Sequence, residues 1–227
     1  LIVDPAKGYQ PEAGEGTEVQ WMHIAFPFSK DTFNDSVIRN IKDWQPENTI
    51  IHSTIPIGTT RQIEKDCDYG TTLFYSPIRG RHPNLAPALR QFPKWYATSI
   101  LGEYDERITA YFAAAGIQTR RAPSFEALEL MKHWETTSFA LQLTMWMEIE
   151  NELKKLPGDR RANMNAMKSW LWEKRKCYDG DIGLVPVLDV VPGPLGGHCL
   201  SSNIGLLREQ MHPALYQWLT ESNEMRK

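Results

Sequence analysis

Thr49-Ile50-Ile51-His52-Ser53-Thr54-Ile55-Pro56-Ile57-Gly58-Thr59-Thr60 is the stretch on which the fold turns. Residues 49–55 are β-branched and apolar, the composition and length of a buried strand. Pro56 and Gly58 stop that strand, and Thr59 stands where a cap would open a helix over 61–66. Upstream, residues 19–28 read as a strand that closes at Pro27. Residues 31–44 then place Phe33, Val37, Ile38 and Ile41 at helical spacing behind a cap at Asp31. Downstream, residues 71–75 and 96–101 read as further strands. A helix over 103–115 stops at Gly116. Strand and helix thus alternate through about the first 120 residues, the rhythm of βαβ units on a mostly parallel sheet.

The rhythm then changes. Residues 124–156 hold no breaker, and Phe125, Leu128, Met131, Leu141 and Met145 suggest one buried face. A helix of that length extends about 45 Å, too long for a crossover in a compact domain. A second helical segment covers 161–177. The expected boundary lies near Pro123. Residues 1–122 form an α/β domain with an incomplete, mostly parallel sheet, and residues 123–227 form a helical region with one long helix. That helix, starting near Ser124, has more apolar length than a small domain covers, which predicts pairing with its twin in a homodimer.

Composition narrows the function. The chain has 227 residues with a net charge of −3, both signs interspersed, and no basic footprint for nucleic acid. No apolar run approaches the roughly 20 residues needed to span a bilayer. Three widely spaced cysteines, Cys67, Cys177 and Cys199, argue against a disulfide framework and for a reducing compartment, so a cytoplasmic location is expected. No leader peptide is visible. The chain opens on Leu1 rather than Met, which predicts a segment upstream. The six histidines and three cysteines lack ligand-like spacing, and no metal site is expected.

The residues that carry chemistry lie in two loops and one helix. Gly196 and Gly197 would let a ligand approach the backbone closely, and Cys199 follows where the loop gives way to a helix over 200–209. Arg79 and Arg81, in a Pro-rich loop after the third strand, are candidates for holding a phosphate.

Four stretches resemble the UDP-glucose/GDP-mannose (nucleotide-sugar) dehydrogenase family. Ile24-Ala25-Phe26-Pro27 is similar to the end of that family's fourth Rossmann strand. Ser53-Thr54-Ile55-Pro56-Ile57-Gly58-Thr59-Thr60 matches its Ser-Thr-x-Pro-x-Gly-Thr-Thr turn. Glu126-Ala127-Leu128-Glu129-Leu130-Met131-Lys132 resembles the start of its dimer-forming helix. Gly193-Pro194-Leu195-Gly196-Gly197-His198-Cys199 matches its cysteine loop, in the form of the N-acetylmannosamine branch.

The resemblance implies a Rossmann-like domain and an NAD cofactor contacted by Asp4, Phe26, Pro27, Ser53, Thr54 and Pro56. It also implies a nucleotide-sugar substrate near Gly196, Gly197, His198, Arg79 and Arg81. The implied reaction oxidises a primary alcohol to a carboxylate. Cys199 adds to the aldehyde intermediate and leaves a thioester for hydrolysis. Lys132 would neutralise the developing oxyanion, Thr54 would position water or the substrate hydroxyl, and Thr136 fills the place of an asparagine four residues after the lysine.

The chain also departs from the family. The Gly-x-Gly-x-x-Gly unit that precedes the strand ending in Asp4 is absent, as is the carboxy-terminal nucleotide-binding domain. Ser201-Ser202-Asn203 replaces the Lys-Asp pair expected after the cysteine. NAD binding by this chain is therefore expected to be weak. Two alternatives follow: a non-catalytic scaffold relative, or a dehydrogenase of a smaller hydroxy acid.

Overall fold

The computed structural model describes residues 18–80, 85–100, 102–177, 193–195, 203–206, 208 and 211–225. The chain divides into two units, Leu1–Lys132 and His133–Lys227.

Three short strands, β1 (Trp21–Ile24), β2 (Asn48–Ile51) and β3 (Thr72–Tyr75), make a parallel sheet in the order β1-β2-β3. His23 pairs with Ile50 and Ile50 with Phe74, so β2 is central and buried along its whole length. A β-branched, apolar run on both faces is what such a strand requires. A second parallel pair, β4 (Lys94–Tyr96) with β5 (Thr119–Arg121), joins the first sheet through an antiparallel bridge between Tyr75 and Ala97.

Helices cover both faces. On one, α1 (Phe33–Trp44), α2 (Thr59–Asp66) and the start of α5 (Phe125–Leu153) bury Phe33, Val37, Ile41, Ile63, Phe125 and Leu128 against Ile24, Ile51, Leu73 and Tyr75. On the other, α4 (Glu103–Ala113) packs Ile108 and Phe112 on Ile50, Phe74 and Tyr96. Strand alternation sends successive residues to opposite faces, which sets Trp21 and His23 on the α4 side. α3 (Leu85–Gln91) is a short connector.

In the second unit, α5 continues and is followed by α6 (Arg160–Cys177) and α7 (Pro213–Glu224). Its core joins Ala140 and Met147 of α5 to Leu195 and Leu219. Ser222 Oγ donates to Glu148 Oε1, and Arg160 pairs with Glu150.

The architecture is the expected one: Rossmann-like parallel strands, then helices that include one long one. Several details differ. The first helix is entered through Thr32, not Asp31, and without a side-chain cap. Gly58, at φ 87°, precedes α2, so Thr59 is its first helical residue. β4 begins two residues before the expected strand, because the Tyr75–Ala97 bridge fixes where it must lie. α3, β5 and α7 were not foreseen.

Candidate functional site

The carboxyl ends of β1, β2 and β3 lead into three turns that are tied together. Ser53 Oγ donates to the Phe26 carbonyl at 2.6 Å, pinning the turn after β2 to the one after β1. His52 N–H reaches the Ile24 carbonyl at 2.8 Å, and Ser76 N–H reaches the Ile51 carbonyl at 2.9 Å. Ser53, Thr54, Pro56, Phe26 and Pro27 are thereby gathered at one end of the sheet. Ser53 is buried, while Thr54, Pro56 and Phe26 are half-buried.

A carboxylate completes this turn. Glu129, on the second turn of α5, is fully buried. Its Oε2 accepts from Gly58 N–H at 2.6 Å, and its Oε1 accepts from Thr60 N–H at 2.9 Å and Thr60 Oγ at 2.7 Å. Helix N-termini carry unsatisfied N–H donors and positive potential, and the chain fills this one with its own anion. Burial raises the Glu129 pKa, while the donors from Thr60 and Gly58 pull it down; burial prevails.

The same helix is anchored a turn earlier. Arg61 Nε lies 3.1 Å from Glu126 Oε1, and the guanidinium sits 5.0 Å from the Phe125 ring centroid. The Ser53–Thr60 turn and the opening of α5, which carries Lys132, are thus one assembly. Beside it, Tyr75 Oη is buried with no hydrogen-bond partner among the described residues. Burial, and then the Glu129 carboxylate, push its phenol well above the ordinary range.

A second cluster, which the sequence does not announce, lies on the α4 side of the same sheet. Tyr111 Oη is 2.7 Å from His23 Nε2, and His23 Nδ1 is 2.8 Å from His52 Nε2. His52 Nδ1 is 2.6 Å from the Ser76 carbonyl. The two imidazoles stack at 5.1 Å between centroids and 13° between planes. Lys94, only 5% exposed, donates to the Ser76 carbonyl at 2.7 Å and the Pro77 carbonyl at 2.9 Å, and its Nζ stands 3.3 Å from His52 Nδ1.

These groups hold each other's charge down. Burial, and then the like charge of Lys132, lower the Lys94 amine to about 7. Burial, and then Lys94, bring His52 down to about 3. His23 is lowered by the same two causes in the same order: one side of its ring is exposed, the other desolvated by the stack. The parallel register could have flagged this cluster, since His23 opposite Ile50 places His52 on the same face two residues on.

Arg79 and Thr136 have contacts of their own. The Arg79 guanidinium sits 5.1 Å from the Phe92 ring centroid. Thr136, in the second unit, accepts from Asn203 Nδ2 at 2.7 Å, and Asn203 is buried. Two positions at which the sequence departs from the nucleotide-sugar dehydrogenase pattern therefore meet as a neutral pair. Asp4, Arg81, Gly196, Gly197, His198 and Cys199 lie outside the described residues. Among the described residues no group of three His, Cys, Asp or Glu side chains is placed to hold a metal ion, and no helix is long and apolar enough to cross a membrane.

The N-termini of α1, α2 and α4, the helices beside the sheet, do not fit the pyrophosphate of a dinucleotide. The N-terminus of α2 is filled by Glu129. The first turn of α1 carries Asp35, and that of α4 carries Glu103, Asp105 and Glu106. A phosphate needs free N–H groups and no anion beside them.

Parallel strands with helices on both faces, run on into a long helix, are found in solved structures of several dehydrogenases. Three solved structures illustrate it. The UDP-D-ManNAc dehydrogenase of Pyrococcus horikoshii superposes with a TM-score of 0.67 at 16% identity, over 93% of this chain and 51% of that one. The UDP-N-acetyl-mannosamine dehydrogenase Cap5O of Staphylococcus aureus gives 0.64 at 16% identity, over 92% and 51%. The 3-hydroxyisobutyrate dehydrogenase of Mycobacterium tuberculosis gives 0.60 at 13%, over 90% and 73%. At these identities the likeness is one of fold. The chain spans about half the length of the sugar-nucleotide enzymes it matches. No protein-family model matches the sequence, and no curated protein does.

Proposed function

We propose that this chain carries the sheet and helical core of an NAD-dependent nucleotide-sugar dehydrogenase that oxidises a sugar's primary alcohol to a carboxylate. The observation that carries the reading is the joined assembly of the Ser53–Thr60 turn with the helix bearing Lys132, in a fold shared with sugar-nucleotide dehydrogenases. Within it, Cys199 is the nucleophile for the aldehyde intermediate, its thiolate forming a C–S bond as the carbonyl oxygen becomes an oxyanion. Lys132 balances that oxyanion, and Thr54 orients water or the substrate hydroxyl. Gly196, Gly197 and His198 line the sugar, and Arg79 and Arg81 meet the nucleotide's phosphates. Thr136 supports the site one turn beyond Lys132. Asp4, Phe26, Pro27, Ser53 and Pro56 face the cofactor side. A bound nicotinamide cofactor would supply the hydride acceptor, but the N-termini of α1, α2 and α4 offer its pyrophosphate no seat. The reading includes a cytoplasmic location and a homodimer formed through α5.

One observation favours a second reading. Thr136 and Asn203, which stand where the family carries an asparagine and a Lys-Asp pair, bond to each other as two neutral side chains, as a non-catalytic relative would allow. The two readings separate on the thiol itself, without cofactor. Iodoacetamide labelling is followed by mass spectrometry with and without the 6-aldehyde of a UDP-sugar. Cys199 is expected to label at least tenfold faster than Cys67 and Cys177 at pH 7, and to be protected by the aldehyde. Equal labelling of the three thiols, unaffected by the aldehyde, would leave the scaffold reading in place. Titration with NAD is expected to show no micromolar binding by this chain.

A further inference from the structure

The chain of contacts from Tyr111 to Lys94 has a direction. His52 Nδ1 lies 2.6 Å from a carbonyl oxygen, so that nitrogen carries the hydrogen. His52 Nε2 is then a lone pair and accepts from His23 Nδ1–H at 2.8 Å. His23 Nε2 in turn accepts from the Tyr111 hydroxyl at 2.7 Å. Every proton points inward, toward Ser76. The opposite polarity runs His52 Nε2–H to His23 Nδ1, His23 Nε2–H to Tyr111 Oη, and the phenol to water; it requires the His52 ring to draw back from the Ser76 carbonyl, because a bare Nδ1 cannot stay 2.6 Å from that oxygen. His52 Nδ1 is then a lone pair 3.3 Å from the Lys94 amine, which with the Ser76 and Pro77 carbonyls gives Lys94 three acceptors for its three protons.

We propose that Tyr111, His23, His52 and Lys94 form a proton relay that links the buried Lys94 amine to solvent on the α4 side of the sheet. Discharge starts from the outward polarity. Lys94 gives a proton to His52 Nδ1, His52 Nε2–H passes to His23 Nδ1, His23 Nε2–H passes to Tyr111 Oη, and the phenolic proton leaves to water. The sum is one proton lost by Lys94 and one gained by solvent, with both imidazoles neutral throughout and their tautomers reversed. The inward polarity, which the Ser76 carbonyl favours, is the discharged state. Uptake runs the steps backward.

The surroundings favour hopping over charging. Among the described residues, the titratable groups that act on His52 are the Lys94 amine and the His23 ring, so an imidazolium there meets desolvation and a like charge. Lys94 faces the Lys132 charge from α5 and, at 6.0 Å, the Phe112 ring from α4. The amine titrates near neutrality while the imidazoles stay neutral, and a cation opposite His52 Nδ1 favours the lone pair there. The outer end is open: His23 is exposed and Tyr111 half-buried. The use of the relay rests on the dehydrogenase reading, since oxidation of an alcohol releases a proton and Lys94 stands just past the carboxyl end of β3.

Nitrogen-15 NMR of histidine tautomers, with the Lys94 side-chain carbons followed in parallel, tests the relay on the whole chain without substrate. The two readings can therefore fail separately. Between pH 6 and 8, His23 and His52 are expected to switch together from Nε2–H to Nδ1–H, with the midpoint of the Lys94 titration and without either ring charging. Lys94→Met should hold both rings as Nδ1–H throughout, and Lys94→Arg should hold both as Nε2–H to pH 9. Tautomers that stay fixed while Lys94 titrates in the parent protein overturn the proposal with no variant required. So does a switch that is the same in all three proteins.

Discussion

Three side chains carry unusual weight, and each makes a measurable difference. Glu129 satisfies three donors at the start of α2 from within the core. Glu129→Ala strands those donors in a dry site, at a cost on the order of 3 kcal/mol. Urea denaturation followed by tryptophan fluorescence should show the midpoint falling at unchanged slope; a variant as stable as the parent would mean that water replaces the carboxylate without penalty. Lys94 and His52 impose a pH dependence whose sign follows from proton counts. An unfolded lysine holds its proton to 10.5 but Lys94 in the fold only to about 7, so stability rises between those values. An unfolded histidine takes a proton at 6.5 but folded His52 only at about 3, so stability falls as pH drops through that window. Each effect is of the order of a few kcal/mol. Lys94→Met should flatten the alkaline rise and reduce, without abolishing, the acid fall, since burial remains the larger cause at His52; unfolding curves from pH 3 to 10.5 would separate the two.

At the scale of elements, backbone geometry ranks two glycines that the sequence leaves equal. Gly58, at φ 87°, opens onto empty space, so Gly58→Ala meets only the backbone strain, about 1 kcal/mol. Gly80, at φ 140°, would bring a Cβ to 2.7 Å from Ala88 Cβ and 3.1 Å from Leu85 Cδ2. Gly80→Ala must therefore displace α3 as well, and should lower the melting temperature by more than Gly58→Ala. The reverse order would show α3 to be loosely held.

These contrasts bear on what can be read before a structure exists. β1, β2, β3, α1 and α4 were legible because apolar residues recur at the right period between Pro and Gly stops. β5, Thr119-Arg120-Arg121, was not, being short and largely exposed, so that it depends on pairing with β4 rather than on composition. α3 contains Pro87 and lacks a recognisable start. α7 did carry a signal, Pro213 in its first turn behind His212, which caps it. Ser53, Thr54 and Pro56 were found through a contiguous motif. Glu129 stood inside a quoted stretch, yet its partner lies 69 residues away. The relay draws on four elements, and only the register of the sheet and the placing of α4 bring them together.

The whole molecule raises the question of what covers α5. This helix of 29 residues, about 43 Å long, leaves Leu130, Met131 and Phe139 exposed, the last at 44%. Isolated exposed apolar residues are ordinary, but three on one helix, with half-buried Trp134 among them, exceed what a solvated face needs. Pairing of two copies through an isologous contact would cover them and would double any residue placed near the axis. The chain at tens of micromolar is expected to sediment at twice its 26.1 kDa mass, and Phe139→Glu to shift it to the monomer while keeping its helical circular dichroism. The charge acts because carboxylates brought face to face across a two-fold interface must be desolvated without partners. If the parent sediments as a monomer at every concentration, α5 is not the contact and those side chains are simply solvated. A variant that loses its helical signal would assign Phe139 to the fold of the second unit instead.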